Sequence, residues 1–531
     1  MPAGRKFFAS LAATALILWA PPLAASPSAR YIIQKVNGLL DHTQGLPLDI
    51  RALAPALKSY YSANDAQLLW SDPGRYEEFL AALAGLEDKG LAPTSKAIRR
   101  LGDMKQASRS SDADLLALLE VTFSSYLLRY VSDLRLGRMS LYEARLDPRT
   151  RSRTLHPDAV LRLARESTSF EGLFDDIQPH EFDYRAIRTR LEHFVALSKR
   201  GGWLPVAPGD DLATGDRGPR VVDVKRRLAA SGELTEMAAD GNVFDDALTA
   251  AVRLFQRRHN LAQTGKVDRR TTLAMNVPLS DRIEQLQVNL ERWRWFDDPL
   301  PGRRWIINTA TQRLYVRLPD KTERSFKLAL SQPCRQRPAF DTTASYLIID
   351  PAYTVPQQFA VRHLLPLLQT APDKLDHSFK ILLQSTDRPP KRIDWSAYDE
   401  TNFPFTVVQQ PGPTNALGRF QIPLQGVGDV SLHGRPDARS RSQLPEACVA
   451  ILPGEGPLVG LLPALDELAA PDAAKAMEER TQRRVDLDQP EQVIFIYATV
   501  WRDTDGELVF AADPLARDAE IRRLIQPGRV S

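Results

Sequence analysis

Near Trp305 the hydrophobic period of this chain switches from that of a helix to that of a strand. In "DADLLALLEVTFSSYLLRYVSDLRLGRM" the buried-face residues recur three and four apart: Leu115, Leu118, Leu119, Thr122 and Phe123, then Tyr126, Leu127, Tyr130 and Leu134. That spacing predicts one buried face of a helix. From Trp305, "RWIINTATQRLYVRL" alternates and is rich in β-branched and aromatic residues, which predicts a hairpin turning near Asn308 to Thr311. Helical period followed by strand period predicts separate cores. At 531 residues the chain exceeds one ordinary core, and two to four domains are expected.

The expected organisation is multidomain: a signal peptide at 1–25, an all-α scaffold at 26–204, a small three-helix domain at 205–278, a connecting helix at 279–300, a mainly β, β-sandwich-like domain at 301–512 and a tail at 513–531. In the scaffold, "AALAGLEDKGLAP" reads as a helix stopped by Gly90 and Pro93, and no cluster of catalytic residue types stands out. A Gly/Pro/Asp-rich linker, "PVAPGDDLATGDRGPR", leads to "VVDVKRRLAASG", with Val221, Val224 and Leu228 on one side and a stop at Gly232. "DDALTAAVRLFQRRHNL" follows, with Asp245 as N-cap and Leu248, Ala251, Val252 and Phe255 as its stripe. "SDRIEQLQVNLERWRWF" is a further helix, whose Trp293 and Trp295 suit packing better than sugar binding. Strands are expected at "RSFKLALS" and "ASYLIIDP", a helix at "FAVRHLLPLL", and a late hairpin turning at "DTDG". The stretch 357–400 has fewer strand signals and reads as an inserted lid or subdomain.

Arg5 and Lys6, then the apolar run "FFASLAATALILWA" and the small residues Ala24, Ala25 and Ser26, read as an export leader, cleaved or kept as an anchor. No later stretch reads as long and apolar enough to span a bilayer. A net charge of +3 gives no reason to expect nucleic acid as a partner. The two cysteines, Cys334 and Cys448, allow one disulfide or two thiols. No Cys/His or His/Asp spacing suggests a metal site.

The stretch most informative about chemistry is 403–452. "VGDVSLHG" predicts a strand delivering His433 to a loop, and "CVAIL" starts the next element, with Cys448 15 positions after His433. An imidazole beside a thiol can take its proton or stabilise the thiolate, which attacks an amide or ester carbonyl. Backbone N–H groups beside the nucleophile can hold the oxyanion, and the carbonyl of Gly434 is placed to orient the imidazole. His259, His363 and His377 lack a comparable context and read as surface or packing histidines.

Two resemblances extend this reading. "GPRVVDVKRRLAASGEL" and "FDDALTAAVRLFQRRHNLAQTGKVDRRTTLAMN" resemble the small peptidoglycan-binding domain found beside cell-wall enzymes. "YLLRYVSDLRLGRM", "NLERWRW", "WIINTATQRLYV", "CRQRPAF", "YTVP", "IDWSAYDETNFPF", "QQPGPTNALGRF", "LHG" and the later Cys448 resemble the YkuD-type L,D-transpeptidases, in particular their large Gram-negative branch. The resemblance implies a periplasmic enzyme without cofactor that forms 3-3 peptidoglycan cross-links through a cysteine thioester. It implies stem peptides as donor and acceptor, and carbapenems as covalent inhibitors. Cys448 would be the nucleophile, His433 the general base and acid, Gly434 the orienting carbonyl, and the N–H groups of Cys448 and Ala447 the oxyanion donors.

The sequence departs from the family's Ser-x-Gly-Cys-x-Arg: "PEACVAI" puts Pro445, Ala447 and Ala450 at the serine, glycine and arginine. Loss of that cation would raise the thiol pKa and weaken anion binding. Arg335, Arg337, Arg435, Arg439 and Arg441 are the nearby charges in sequence. The alternatives to a cross-linking enzyme are a catalytically impaired peptidoglycan-binding or scaffold protein and an L,D-carboxypeptidase.

Overall fold

The computed structural model describes residues 27–525 apart from 64–65, 92–94, 140–154, 236–240, 297–303, 318–322, 332–338, 373–374, 376–377, 391, 413, 429, 436–448, 452–470, 472–474, 477 and 480. The leader at 1–25, Pro93 and His377 lie outside the described residues, as do Cys334, Arg335, Arg337, Arg439, Arg441, Pro445, Ala447 and Cys448.

The first part is helical: α1 (Ala29–Asp41), α2 (Leu48–Tyr61), α3 (Pro73–Ala84), α4 (Ser95–Lys105), α5 (Ala113–Leu136), α6 (Pro157–Glu166), α7 (Phe170–Asp176) and α8 (Phe182–Lys199). Three more helices follow in the expected small domain: α9 (Pro219–Ser231), α10 (Asp246–Arg258) and α11 (Arg269–Met275). The long α12 (Leu279–Trp293) leads out of it. The chain packs as two compact units, one of Met1–Leu80, Lys96–Leu128 and His156–Ser167, the other of Ala81–Ser95, Arg129–Leu155 and Thr168–Ser531.

In the first unit, Trp70 packs against Tyr76, Phe79 and Phe123 at ring separations of 5.5, 5.1 and 5.3 Å. Beside them Glu120 is buried and accepts from Tyr61 Oη (2.7 Å), Leu69 N (2.6 Å) and Trp70 N (3.2 Å). These three donors make a buried carboxylate tolerable. Two sequence expectations change at α5. Leu115 and Leu118 are only half-buried, while every residue from Leu119 to Leu128 is buried, so the helix is covered all round there. Its 24 residues are also long and apolar enough to pass for a membrane span, contrary to the sequence reading, but 72% of that window is buried inside the protein, which suits a core helix.

In the second unit, α9, α10 and α11 close on Val221, Val224, Leu228, Leu248, Val252, Phe255 and Met275. Their ends follow from local chemistry. Asp245 caps α10 by accepting from Leu248 N at 2.8 Å, Asp268 caps α11 through Thr271 N at 2.7 Å, and Gly232 ends α9 at φ +84°.

The strand period becomes β1 (Arg304–Asn308), β2 (Arg313–Arg317), β3 (Glu323–Leu330), β4 (Phe340–Ile349), β5 (Tyr353–Thr354), β6 (Phe379–Leu383), β7 (Phe405–Gln409), β8 (Phe420–Pro423), β9 (Ser431–His433), β10 (Val449–Ile451), β11 (Arg483–Ile496), β12 (Val500–Arg502) and β13 (Leu508–Phe510). The sandwich-like expectation takes the form of one sheet curled until its edges meet, in the order β1-β11-β4-β8-β9-β10-β3-β2. Closure leaves no free sheet edge. Inward-facing Trp305, Ile307, Leu314, Val316, Leu328, Leu347, Phe420, Ile422, Leu432 and Phe495 fill it. The outward Ile306, Tyr315, Ile494 and Ile496 join a second core with Leu191, Phe194, Leu286, Leu290 and Trp293 of α8 and α12. Strand β1 is therefore buried on both faces, the physical reason for the unbroken "WII". Trp293 and Trp295 are both buried in packing.

Around the stretch 357–400 a small sheet, β5-β7-β6, and the helical segment 357–370 share a core of their own, with Leu364, Leu368, Trp395, Phe403, Phe405 and Leu417. The late hairpin β12–β13 turns at Asp503 to Gly506 as expected, and α13 (Arg517–Ile525) closes the described chain.

Candidate active site

His433 is the last residue of β9. Leu432 before it points into the barrel core, and the alternation of a strand turns the next side chain to the opposite face. His433 is nonetheless only 1% exposed. Its ring Nδ1 lies 2.6 Å from the carbonyl oxygen of Gly434. A carbonyl only accepts, so Nδ1 carries the proton in this bond and Nε2 is left as the basic nitrogen. The Gly434 N–H donates to Phe420 O at 3.0 Å, which extends the β8–β9 pairing one residue past the strand.

Strand β10 runs parallel to β9, with Val449 beside Leu432 and Ala450 beside His433. A parallel pair needs a crossover of about a dozen residues or more. The connection here, 434–448, satisfies that. Cys448 and Ala447 lie outside the described residues, and β10 begins at the residue after Cys448.

The loop "PTNALGRF" carries structure that sequence reasoning used for resemblance but gave no role. Asn415 is completely buried. Its Nδ2 donates to the carbonyls of Pro351 (2.9 Å), Gln410 (3.0 Å) and Gln409 (3.4 Å), while Oδ1 accepts from Leu417 N at 2.9 Å. Arg419 grips Asp350 with two bonds, Nε to Oδ1 at 2.7 Å and Nη2 to Oδ2 at 2.9 Å, and its carbonyl accepts from Asp350 N at 2.8 Å. Asp350 adopts φ +42°, a conformation disfavoured for most side chains and held here by both chains of contact. Burial pushes the nearby-in-sequence Tyr353 phenol up to about 12. The signal for Asn415 was a carboxamide inside a Pro/Gly-rich turn, where such side chains bond local backbone.

The other histidines stand elsewhere. His259 is stacked on Phe255 at 3.9 Å and its pKa is held well below the usual value by burial. His363 is exposed against Phe359. Of the five arginines near the site in sequence, Arg435 is described and is exposed. Among the described residues no group of three or more His, Cys, Asp or Glu side chains is arranged to hold a metal ion.

Comparison with known families finds two matches. Residues 55–191 match the model of a family described as "Scaffold domain". Residues 217–275 match the "Putative peptidoglycan binding domain" family. The second match falls on α9, α10 and α11, and the two together are consistent with the resemblance to L,D-transpeptidases. Among curated proteins none matches this chain. Among solved structures, an L,D-transpeptidase (residues 123–326) from Xylanimonas cellulosilytica is similar at 12% identity over 55% of this chain and 100% of that one. Its TM-score is 0.15, at which the likeness carries no structural argument.

Proposed function

We propose that this chain is an exported cell-wall acyl-transfer enzyme of the L,D-transpeptidase type, with Cys448 as nucleophile and His433 as its base. The observation that carries this reading is the buried imidazole of His433, held through Nδ1 by Gly434 O at the end of β9, beside a parallel β10 that starts immediately after Cys448. Residues two apart in an extended chain share a face. In the sequence Cys448 stands two positions before Ala450, the backbone partner of His433, which is the spacing a thiol–imidazole pair across these two strands requires. The basic and then apolar start of the sequence and the match of residues 217–275 support a location outside the cytoplasm at peptidoglycan.

In this reading His433 Nε2 takes the Cys448 proton, and the thiolate adds to the carbonyl carbon of a stem-peptide amide. The C–N bond breaks as the imidazolium returns its proton to the leaving amine, which frees the terminal D-alanine and leaves a thioester. The backbone N–H groups of Cys448 and Ala447 hold the oxyanion. The side-chain amine of a second stem then attacks the thioester, gives its proton to His433 and releases the thiol with a 3-3 cross-link formed. Water in place of that amine would make the enzyme an L,D-carboxypeptidase.

Intact-protein and peptide mass spectrometry of the reduced chain with a carbapenem tests the reading. The expected result is one covalent adduct, on Cys448, lost in Cys448→Ala. Absence of an adduct overturns the enzyme and leaves a wall-binding scaffold, the reading favoured by Ala447 and Ala450 replacing glycine and arginine.

A further inference from the structure

Gly418 has a left-handed backbone, φ +64°, and lies against the turn that follows His433. A Cβ built on it would stand 2.6 Å from Arg435 N, 2.8 Å from Arg435 O and 2.8 Å from Gly434 C. All three are backbone atoms, which cannot swing aside as the end of a side chain can. From the opposite side, a Cβ on Gly434 would meet Phe420 Cε1 at 3.2 Å, Arg419 N at 3.3 Å and Leu417 O at 3.3 Å. The two loops thus meet glycine to glycine.

One side of this contact is fixed from several directions. Gly418 N donates to Asn415 O at 2.9 Å, Asn415 is tied to three carbonyls, and Arg419 is tied to Asp350. The other side is the peptide whose carbonyl holds the His433 ring. A methyl group on residue 418 would therefore displace the Gly434 carbonyl itself, not a bystander. Among the described residues, the charged groups on these loops are Arg419, paired with Asp350, and the exposed Arg435.

We propose that Gly418 is a positioning residue for His433: lacking a Cβ, it lets the Gly434–Arg435 peptide seat at the depth where the Gly434 carbonyl accepts from His433 Nδ1. The inference rests on the reading of His433 as the base for Cys448, and the measurements below separate the two.

Gly418→Ala is compared with Gly428→Ala in the full chain. Gly428 has a similar backbone, φ +71°, with nothing within 4 Å of the built Cβ, so it carries the left-handed strain without the collision. Ring nitrogen-15 spectra of histidine-labelled protein, with the His433 signals assigned by their loss in His433→Asn, report tautomer and titration midpoint. The rate of iodoacetamide labelling of Cys448 against pH, read by peptide mass spectrometry, reports the thiolate. Gly418→Ala is expected to weaken the Nδ1–H tautomer, move the His433 midpoint and slow Cys448 labelling at pH 7 about tenfold. Gly428→Ala is expected to leave all three at the parent values. A folded Gly418→Ala with the parent tautomer and midpoint overturns the inference. If Gly418→Ala does not fold, Gly434→Ala crowds the same two loops from the other side, against Phe420 Cε1, Arg419 N and Leu417 O, by a few tenths of an ångström, and an unchanged His433 ring there overturns it too. Should His433→Asn leave the pH profile of Cys448 labelling unchanged, the thiol–imidazole reading fails, while the ring spectra still decide the role of Gly418.

Discussion

Two buried polar side chains show how single residues set the behaviour of this protein. Among the described residues no cation is bonded to Glu120, and burial pushes its carboxyl from 4.5 up to about 7 despite the bonds from Tyr61, Leu69 and Trp70. Between those values the unfolded chain gives up the proton and the folded chain keeps it. Folding stability is therefore lost as pH rises from about 4.5 through about 7, by up to ~3 kcal/mol from this group. Urea unfolding followed by tryptophan fluorescence between pH 5 and 8 should show that fall, and Glu120→Gln should flatten it, whatever constant offset the amide brings. Equal slopes in the two proteins would refute the assignment. Asn415 is the second case. Asn415→Ala removes the donor to three carbonyls and the acceptor for Leu417 N, with an expected loss of about 2–4 kcal/mol measured by chemical denaturation.

At the scale of elements, the β12–β13 hairpin is joined to α10 by charge. Arg258 bridges Glu233 at 2.9 Å and Glu507 at 2.7 Å, Arg257 pairs with Asp505 at 2.8 Å, and His259 stacks on Phe510 at 5.5 Å. Glu507→Ala leaves a largely buried guanidinium with one carboxylate partner, at an expected cost of about 1–2 kcal/mol. Hydrogen exchange should then quicken in 500–510 and at the end of α10, and unchanged protection there would show that the Arg258–Glu507 pair does not hold the two together. Similar charge pairing joins the start of α8 to the barrel. Arg304 pairs with Glu181 at 2.8 Å, Arg317 with Glu323 at 2.7 Å and Asp183 at 3.3 Å, and Arg502 with Asp183 at 3.0 Å. Much of this was readable as elements. The hairpins, the caps at Asp245 and Gly232, and the strand ending at His433 all follow from local residue types. The charge clusters were not, because each joins residues more than 100 positions apart, as Arg304 and Glu181 are.

For the whole molecule, the domain matched at 217–275 belongs to the same compact unit as the barrel. The proposed enzyme therefore carries its wall-binding part and its thiol on one body, and the two activities should separate by mutation. Cys448→Ala is expected to abolish 3-3 cross-linked muropeptides while binding to purified sacculi stays at the parent level. Muropeptide analysis with a sacculus pull-down measures both. Cross-links that persist in Cys448→Ala would exclude this thiol as their source.

By itself the sequence determined the order of periods: helices, then a capped three-helix domain, then strands. It also determined which thiol and imidazole to consider, since motif and spacing are local properties of the chain. Tertiary structure decided the rest. It set β9 and β10 side by side in parallel register, buried β1 on both faces, covered α5 all round from Leu119 to Leu128 and brought Gly418 against Gly434. Those outcomes depend on which distant surface covers a residue and how closely two backbones approach. Neither is encoded in the period of the segment that carries the residue.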